Sequence, residues 1–416
     1  MGDSVEAARA AAEAAARRSY GKLIAFLAAR TRDVAAAEDA LSEGFAAALT
    51  AWPKTGVPEH PEAWLMTAAR RSAIDALRRR QTSIAAEPRL KLMSEEMEAA
   101  VASESVPDER LGLMFACAHP AIDASVRAPL MLQTILGFDA ATIASAFLVP
   151  PATMGQRLVR AKNRIRQAGI PLKIPDQDAL AERLSSVLEA IYAAFAEGWT
   201  DPAGTDARRR NLSDEGIWLG RLVVSLLPEE PEALGLLALM LFAEARRATR
   251  RNTAGDYVPL SEQDTAEWDT ALINEAEVLL RKASGMAGIG RYQLEAAVQS
   301  AHAARRLTGS TDWPAIALLY DALSTVADSP VVTINRAVAI AEAGDPREGM
   351  AELDRLEGDK RLSDYQPYWA ARAGLLAQLG DTAAAHAAYQ RAIGLELDEA
   401  VRRFLQKRSA ELRGKA

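Results

Sequence analysis

The chain is nearly without cysteine: Cys117 stands alone among 416 residues. One thiol excludes an internal disulfide framework and fits a reducing compartment. Histidine is scarce as well, four in all, so Cys117 and His119 lack the partners to complete a zinc-binding set. The reading is a buried thiol beside a loop histidine, with no metal and no cofactor. No apolar run reaches the length of a bilayer span, and the opening "MGDSVEAARAAAEAAARRSYGKL" scatters acids and bases where a signal peptide would carry an apolar core. The expectation is a cytoplasmic protein with no membrane association. Glycine-rich phosphate loops, a Ser-His-Asp arrangement and a recognisable carboxylate pair are also missing, so no enzymatic activity is expected.

What is present is alanine, and apolar residues recurring at helical spacing almost throughout; the predicted fold class is all-α. A chain of this length should divide into two or three domains. The net charge of −7 conceals an asymmetry, because residues 1–175 hold 22 Lys and Arg against 19 Asp and Glu, whereas residues 176–416 hold 27 against 37. From Ala140 to Pro175 there are six basic residues and no acid. That asymmetry favours a polyanion partner for the N-terminal part, the alternative being a plain solvated basic face.

Turn signals and composition predict a helical block over 7–82, broken by the turn-rich Trp52–Ala63, then a polar, acidic tether over 83–107. A second block spans 108–170, and a proline-containing linker covers 171–179. From 180 to 416 the chain reads as a succession of helices with weak self-similarity. Trp369, Ala373, Leu376, Gly380, Ala385, Tyr389 and Ala392 fall on the tetratricopeptide pattern, and the Gly-Asp turn at Gly344 and Asp345 recurs 36 residues on, at Gly380 and Asp381. Stacked helix pairs would explain the period, since one pair cannot form a core alone.

In "ASAFLVPPATMGQRLVRAKNRIRQAG" (144–169), Asp139 is placed to cap a short helix after Gly137 ends the one before. Pro151 suits the first position of the next helix. On that second helix Met154, Leu158, Ala161 and Ile165 form one stripe, while Thr153, Arg157, Arg160 and Arg164 form another about 100° away. This is helix-turn-helix spacing: Thr153 and Gln156 would reach base edges in a major groove, Arg157 and Arg160 bases or phosphates, and Arg164 and Arg166 phosphates. No acid is present to form i,i+4 pairs, which argues against a merely solvated helix.

The first block carries two further patterns. "VAAAEDALSEGFAAALTAW" sets Leu41, Phe45, Ala48 and Trp52 on one stripe and Glu38, Asp39, Ser42 and Glu43 on another; such an acidic face repels phosphate and suits a basic protein surface. "EAWLMTAARRSAIDALRRRQ" places Trp64 with Arg71, Asp75 and Arg78, a combination suited to melted nucleic acid, although a lone tryptophan is also a common core residue.

Taken together, "AEDALSEGF", "PEAWLMTAARRSAIDALRRR" and "ATIASAFLVPPATMGQRLVRAKNRIR" resemble domains two and four of bacterial extracytoplasmic-function (ECF) sigma factors. The C-terminal part, with "FACAHPAI" and "FAEGW", is similar to the subgroup that carries a tetratricopeptide-like extension. The resemblance implies that Glu38, Asp39, Leu41 and Glu43 contact the β′ clamp of the RNA polymerase core enzyme. It implies that Trp64, Arg70, Arg71, Arg78 and Arg79 help open and hold the promoter −10 element. It also implies that Thr153, Gln156, Arg157, Arg160 and Arg164 read the −35 element of promoter DNA. A regulatory protein or peptide is the partner implied for the C-terminal domain. Pro150 replaces the Ser or Thr cap common in the family, and Gly155 stands where a basic residue is frequent. The rival readings are a helix-turn-helix regulator with a repeat sensor that never acts as a sigma subunit, and a repeat scaffold with an incidental basic helix.

Overall fold

The computed structural model describes residues 2–80, 107–147, 149–199 and 207–413. The predicted tether lies almost wholly outside these residues, as do Leu148 and the side chains of Arg78 and Arg79. The all-α expectation holds. Among the described residues no strand forms, and the sole bridge pairs Arg251 with Tyr257. No helix there is long and apolar enough to cross a membrane.

The chain divides into two compact units, one of residues 1–200 and 206–219, the other of residues 201–205 and 220–416. In the first unit, α1 (Gly2–Thr31), α2 (Val34–Thr55) and α3 (Pro61–Arg80) pack on one another. Alanines and a few large residues, Leu23, Ile24, Phe26 and Leu27, bury the inner face of α1. The turn into α2 is set locally: Arg32 takes a left-handed conformation (φ 56°), and the Asp33 carboxylate caps the Ala36 N–H at 3.1 Å. Gly44 lets α2 approach the α3 backbone, since a Cβ there would lie 3.3 Å from the Leu65 carbonyl oxygen.

The second sequence block forms α4 (Arg110–Cys117), α5 (Ala124–Leu136), α6 (Ala140–Ala146) and α7 (Pro151–Gln167). Cys117 is fully buried against the Thr134 hydroxyl, and burial raises its thiol to about 12, so it behaves as an inert apolar side chain. The next helix, α8 (Gln177–Trp199), corrects the expected domain boundary: it packs on α4 and α5, burying Leu184, Val187, Leu188 and Ile191. Arg183 donates to the Phe115 carbonyl at 2.8 Å, and Arg110 lies over the ring of Trp218 on α9 (Ala207–Leu226). The first unit therefore continues to 219 and does not end near 170.

In the second unit α10 (Pro231–Glu244) is apolar on every side and buried from Ala233 to Ala243. It packs on α11 (Thr270–Ser284) and α12 (Arg291–Ala303). Helix pairs follow: α14 (Trp313–Val326) on α15 (Pro330–Glu342), α15 on α16 (Pro346–Asp354), and α17 (Gln366–Gln378) on α18 (Thr382–Leu395), with α13 (Arg305–Thr308) and α19 (Glu399–Arg413) flanking them. The two Gly-Asp turns are built alike. Gly344 and Gly380 have φ of 116° and 82°, and the Asp345 and Asp381 N–H groups bond back five residues, to Ile340 and Leu376. Each aspartate then caps the following helix, through the N–H groups of Glu348 and Ala384. Of the quoted repeat positions, Ala373, Ala385, Tyr389 and Ala392 are buried, with Trp369 and Leu376 packed beside them.

Candidate nucleic-acid and polymerase interface

The two helices on either side of the Pro150-Pro151 step form as their local chemistry requires. Gly137 closes α5 in a left-handed conformation (φ 75°), and Asp139 accepts from the Ala141 and Thr142 N–H groups, both at 2.9 Å. Pro150 occupies the N-cap without a side-chain bond and Pro151 opens α7, so rigidity of entry replaces the missing cap. Met154, Leu158, Ala161 and Ile165 are buried. The neighbouring stripe turns outward: Gln156, Arg160 and Arg164 are exposed, and Thr153 and Arg157 are half-buried. With Asp123, Ser125 and Val126 at the start of α5, Thr153, Arg157, Arg160 and Arg164 line a groove of about 490 Å³. Hydrogen bonds from Ser125 hold the Asp123 carboxyl below its usual range, with Arg157 and Arg127 adding to the effect. Gly155 has open space around it, so no packing demand explains its lack of a side chain.

On α2, Asp39 and Glu43 are exposed, and Glu43 accepts a hydrogen bond from the Ser72 hydroxyl of α3. Leu41 corrects the expectation that it meets polymerase. It is 0% exposed, joining Val34, Ala37, Ala48 and Trp52 on the inner stripe that holds α2 to its neighbours. Trp64 is half-buried, packed edge-on against the sealed Trp52, and keeps part of its surface accessible. Arg70 is half-buried, Arg71 and Asp75 are exposed, and Arg78 and Arg79 lie outside the described side chains. Lys54, Val57, Glu59 and His60 of the intervening turn are exposed.

The polar stretch over 83–107 predicts two blocks joined by a tether; the structure packs them together. Lys162 of α7 donates to the Glu38 carboxylate of α2 at 2.6 Å, with side chains only 11% and 16% exposed. Arg166 reaches Asp33 at 3.2 Å, and Arg30 of α1 meets Glu109 at 2.7 Å. Burial raises the Glu38 carboxyl and outweighs the opposing pull of Lys162. Burial likewise raises the Tyr20 hydroxyl, with the Glu38 charge adding to it. Neither Lys162 nor Asp33 was marked in the sequence as part of a site, and a lysine on a basic helix carries no local sign that its partner lies 124 residues away. His119 accepts the Ala121 N–H through Nδ1, and among the described residues no group of three His, Cys, Asp or Glu side chains could hold a metal ion.

Comparison with known proteins adds the lineage. Residues 16–83, which form most of the α1–α3 layer, match sigma-70 region 2, and residues 183–284 match a family of unknown function, DUF6596. No solved structure matches the chain. The uncharacterized protein R00370 of Rhizobium meliloti (strain 1021) is 40% identical over 369 residues, 88% of this chain and 87% of that protein. The chain therefore belongs to one family with R00370, and its sigma-70 region 2 supports a sigma-factor role in transcription initiation, with RNA polymerase core and promoter DNA as partners.

Proposed function

We propose that this protein is an ECF-type sigma factor in which α1–α3 serve as region 2, α4–α7 as region 4, and the helical C-terminal part as a tetratricopeptide-like domain that modulates activity. The observation carrying the reading is a region 2 match in the same compact unit as a helix pair split by Pro150-Pro151, whose second helix exposes Arg160 and Arg164 with Arg157 half-buried beside them. Two modest DNA contacts on one chain suffice, because the first raises the effective concentration of the second.

In this reading Glu38, Asp39 and Glu43 engage the β′ clamp, and Leu41 supports them from beneath. Trp64, Arg70 and Arg71, with Arg78 and Arg79 beyond the described side chains, hold the opened −10 strand by stacking and charge. Thr153 and Gln156 address −35 base edges from the first turn of α7, Arg157 and Arg160 contact bases or backbone, and Arg164 contacts phosphate. The acidic C-terminal domain offers helix-pair surfaces to a regulatory protein or peptide. No step in this function requires catalysis by the chain itself.

Transcription reconstituted from purified core enzyme and promoter templates tests the reading. Promoter-dependent transcripts are expected only when the protein is present. Occupancy of a DNA site with no initiation under any condition would instead favour a helix-turn-helix regulator.

A further inference from the structure

Asp123 stands at the start of α5 on a fixed platform. Arg127 donates to the Ile122 carbonyl at 3.1 Å, the Ile122 N–H returns to the His119 carbonyl at 2.8 Å, and the Ile122 and Val126 side chains on either side are buried. The Asp123 side chain itself is exposed, yet only half of it is used locally. Oδ1 accepts from the Ser125 N–H at 2.8 Å and from the Ser125 hydroxyl at 2.5 Å, whereas Oδ2 carries no hydrogen bond among the described residues. The cap therefore fixes the carboxylate by one oxygen and leaves the other able to accept from a ligand.

Across the groove of about 490 Å³ stand Thr153, Arg157, Arg160 and Arg164 of α7. Among the described residues Arg157 makes no hydrogen bond or ion pair, and none joins it to Asp123, although the two charges act on one another. An ionised carboxylate on a surface that meets DNA is repelled by phosphate and is offset only by a hydrogen-bond donor. In the major groove the donors are the amino groups at cytosine N4 and adenine N6, while an arginine prefers guanine O6 and N7. Across a G·C pair the groove edge runs acceptor, acceptor, donor, which a guanidinium followed by a carboxylate matches. Across A·T it runs acceptor, donor, acceptor, and the match fails.

We propose that Asp123 determines sequence specificity on the α7 DNA surface, its Oδ2 accepting from the cytosine N4 amino group of the G·C pair whose guanine Arg157 engages. The inference rests on the reading of α7 as the −35 helix and adds to it a residue from a different helix, one that governs sequence more than affinity. Ser125 is the positioning residue, because its two bonds hold Oδ1 and leave the second oxygen for the base. Phosphate or an A·T pair at the same place sets the carboxylate against an acceptor, so the wrong sequence is penalised as well as the right one favoured.

The full-length chain bound to core polymerase is equilibrated with promoter duplexes randomised over the upstream element, and bound sequences are counted for wild type, Asp123→Asn, Asp123→Ser and Arg157→Ala. Asp123→Asn keeps the cap and the volume, but with Oδ1 committed to Ser125 it presents Nδ2 where the free oxygen stood, a donor against the cytosine amino group. Asp123→Ser keeps a capping oxygen and removes the carboxylate. Wild type should favour G·C over other pairs at one position by about tenfold. Both aspartate variants and Arg157→Ala should flatten that same position and leave the others as in wild type. Duplexes lacking the favoured pair should bind both aspartate variants more tightly than wild type, because a repulsive charge is gone; a weakened cap alone would lower binding to every duplex. A preference left intact in Asp123→Asn, an equal loss at every position, or a change at a position that Arg157→Ala does not share overturns the inference and leaves the sigma reading standing. If wild type with core selects no sequence at all, the sigma reading fails and this inference with it.

Discussion

Trp52 and Trp64 meet edge to face, ring centroids 5.5 Å apart at 68°, with Trp52 sealed at 1% exposure and Trp64 half-buried. One packs and the other is available. Trp52→Ala should therefore cost about 3–5 kcal/mol of stability through transfer loss and cavity formation. Trp64→Ala should cost about 1–2 kcal/mol and chiefly impair promoter opening. Urea unfolding and permanganate footprinting of the opened strand separate the two; equal stability losses would contradict the assignment.

Arg157 and Arg160 line the α5–α7 groove beside Thr153. Replacing either with alanine should weaken promoter binding by about 1–3 kcal/mol where it reads a base, and should lower the salt slope of binding by about one where it meets phosphate. Binding isotherms across salt concentrations distinguish the two roles. Val159→Ala, on the exposed side of α7, serves as the control.

Helix α8 covers α4 and α5, with Arg183 on the Phe115 carbonyl and Arg127 on the Ser186 hydroxyl. A chain ending at Pro175 should lose the α4–α7 fold by uncovering that apolar face, whereas one ending at Pro228, beyond α9, should keep it. Amide hydrogen exchange across α4 and α5 reports the difference. Equal protection in both truncations would show that α8 is dispensable.

His302, half-buried and packed edge-on against Trp313 with ring centroids 5.4 Å apart, is lowered from 6.5 to about 4, first by desolvation and then by Arg246 and Arg305. The folded state keeps the ring neutral where the unfolded chain binds a proton. Its contribution is thus fully present above pH 6.5 and is lost as pH falls toward 4, on the order of 3 kcal/mol in all. His302→Phe should remove this component. Subtracting the variant's pH–stability curve from that of wild type isolates it from the carboxylates that titrate over the same range, and a flat difference would refute it.

Much of α7 was legible. The Met154, Leu158, Ala161 and Ile165 stripe, the Gly137 stop and the Asp139 cap depend on neighbours within two turns, and all are present. Leu41 illustrates the opposite case. Its place on the apolar stripe of α2 was readable, and the structure keeps it there, whereas the surface role implied by resemblance is incompatible with full burial. The placement of α8 is not legible in the sequence, because an amphipathic helix announces that it has a buried face without naming what covers it. The repeated Gly-Asp turn was readable because the left-handed glycine and the capping aspartate are adjacent in sequence.

By itself the sequence determined the all-α class, the caps, the outward basic stripe of α7 and the turns that pair the C-terminal helices. Each follows from backbone sterics, hydrogen bonding and periodicity over a few residues. Only the tertiary structure decided that Glu38 faces Lys162, that Gly21 meets Ile135, and that the first unit extends to Leu219. Those relations depend on which buried surfaces fit one another across more than a hundred residues, and complementarity of that kind leaves no periodic trace along the chain.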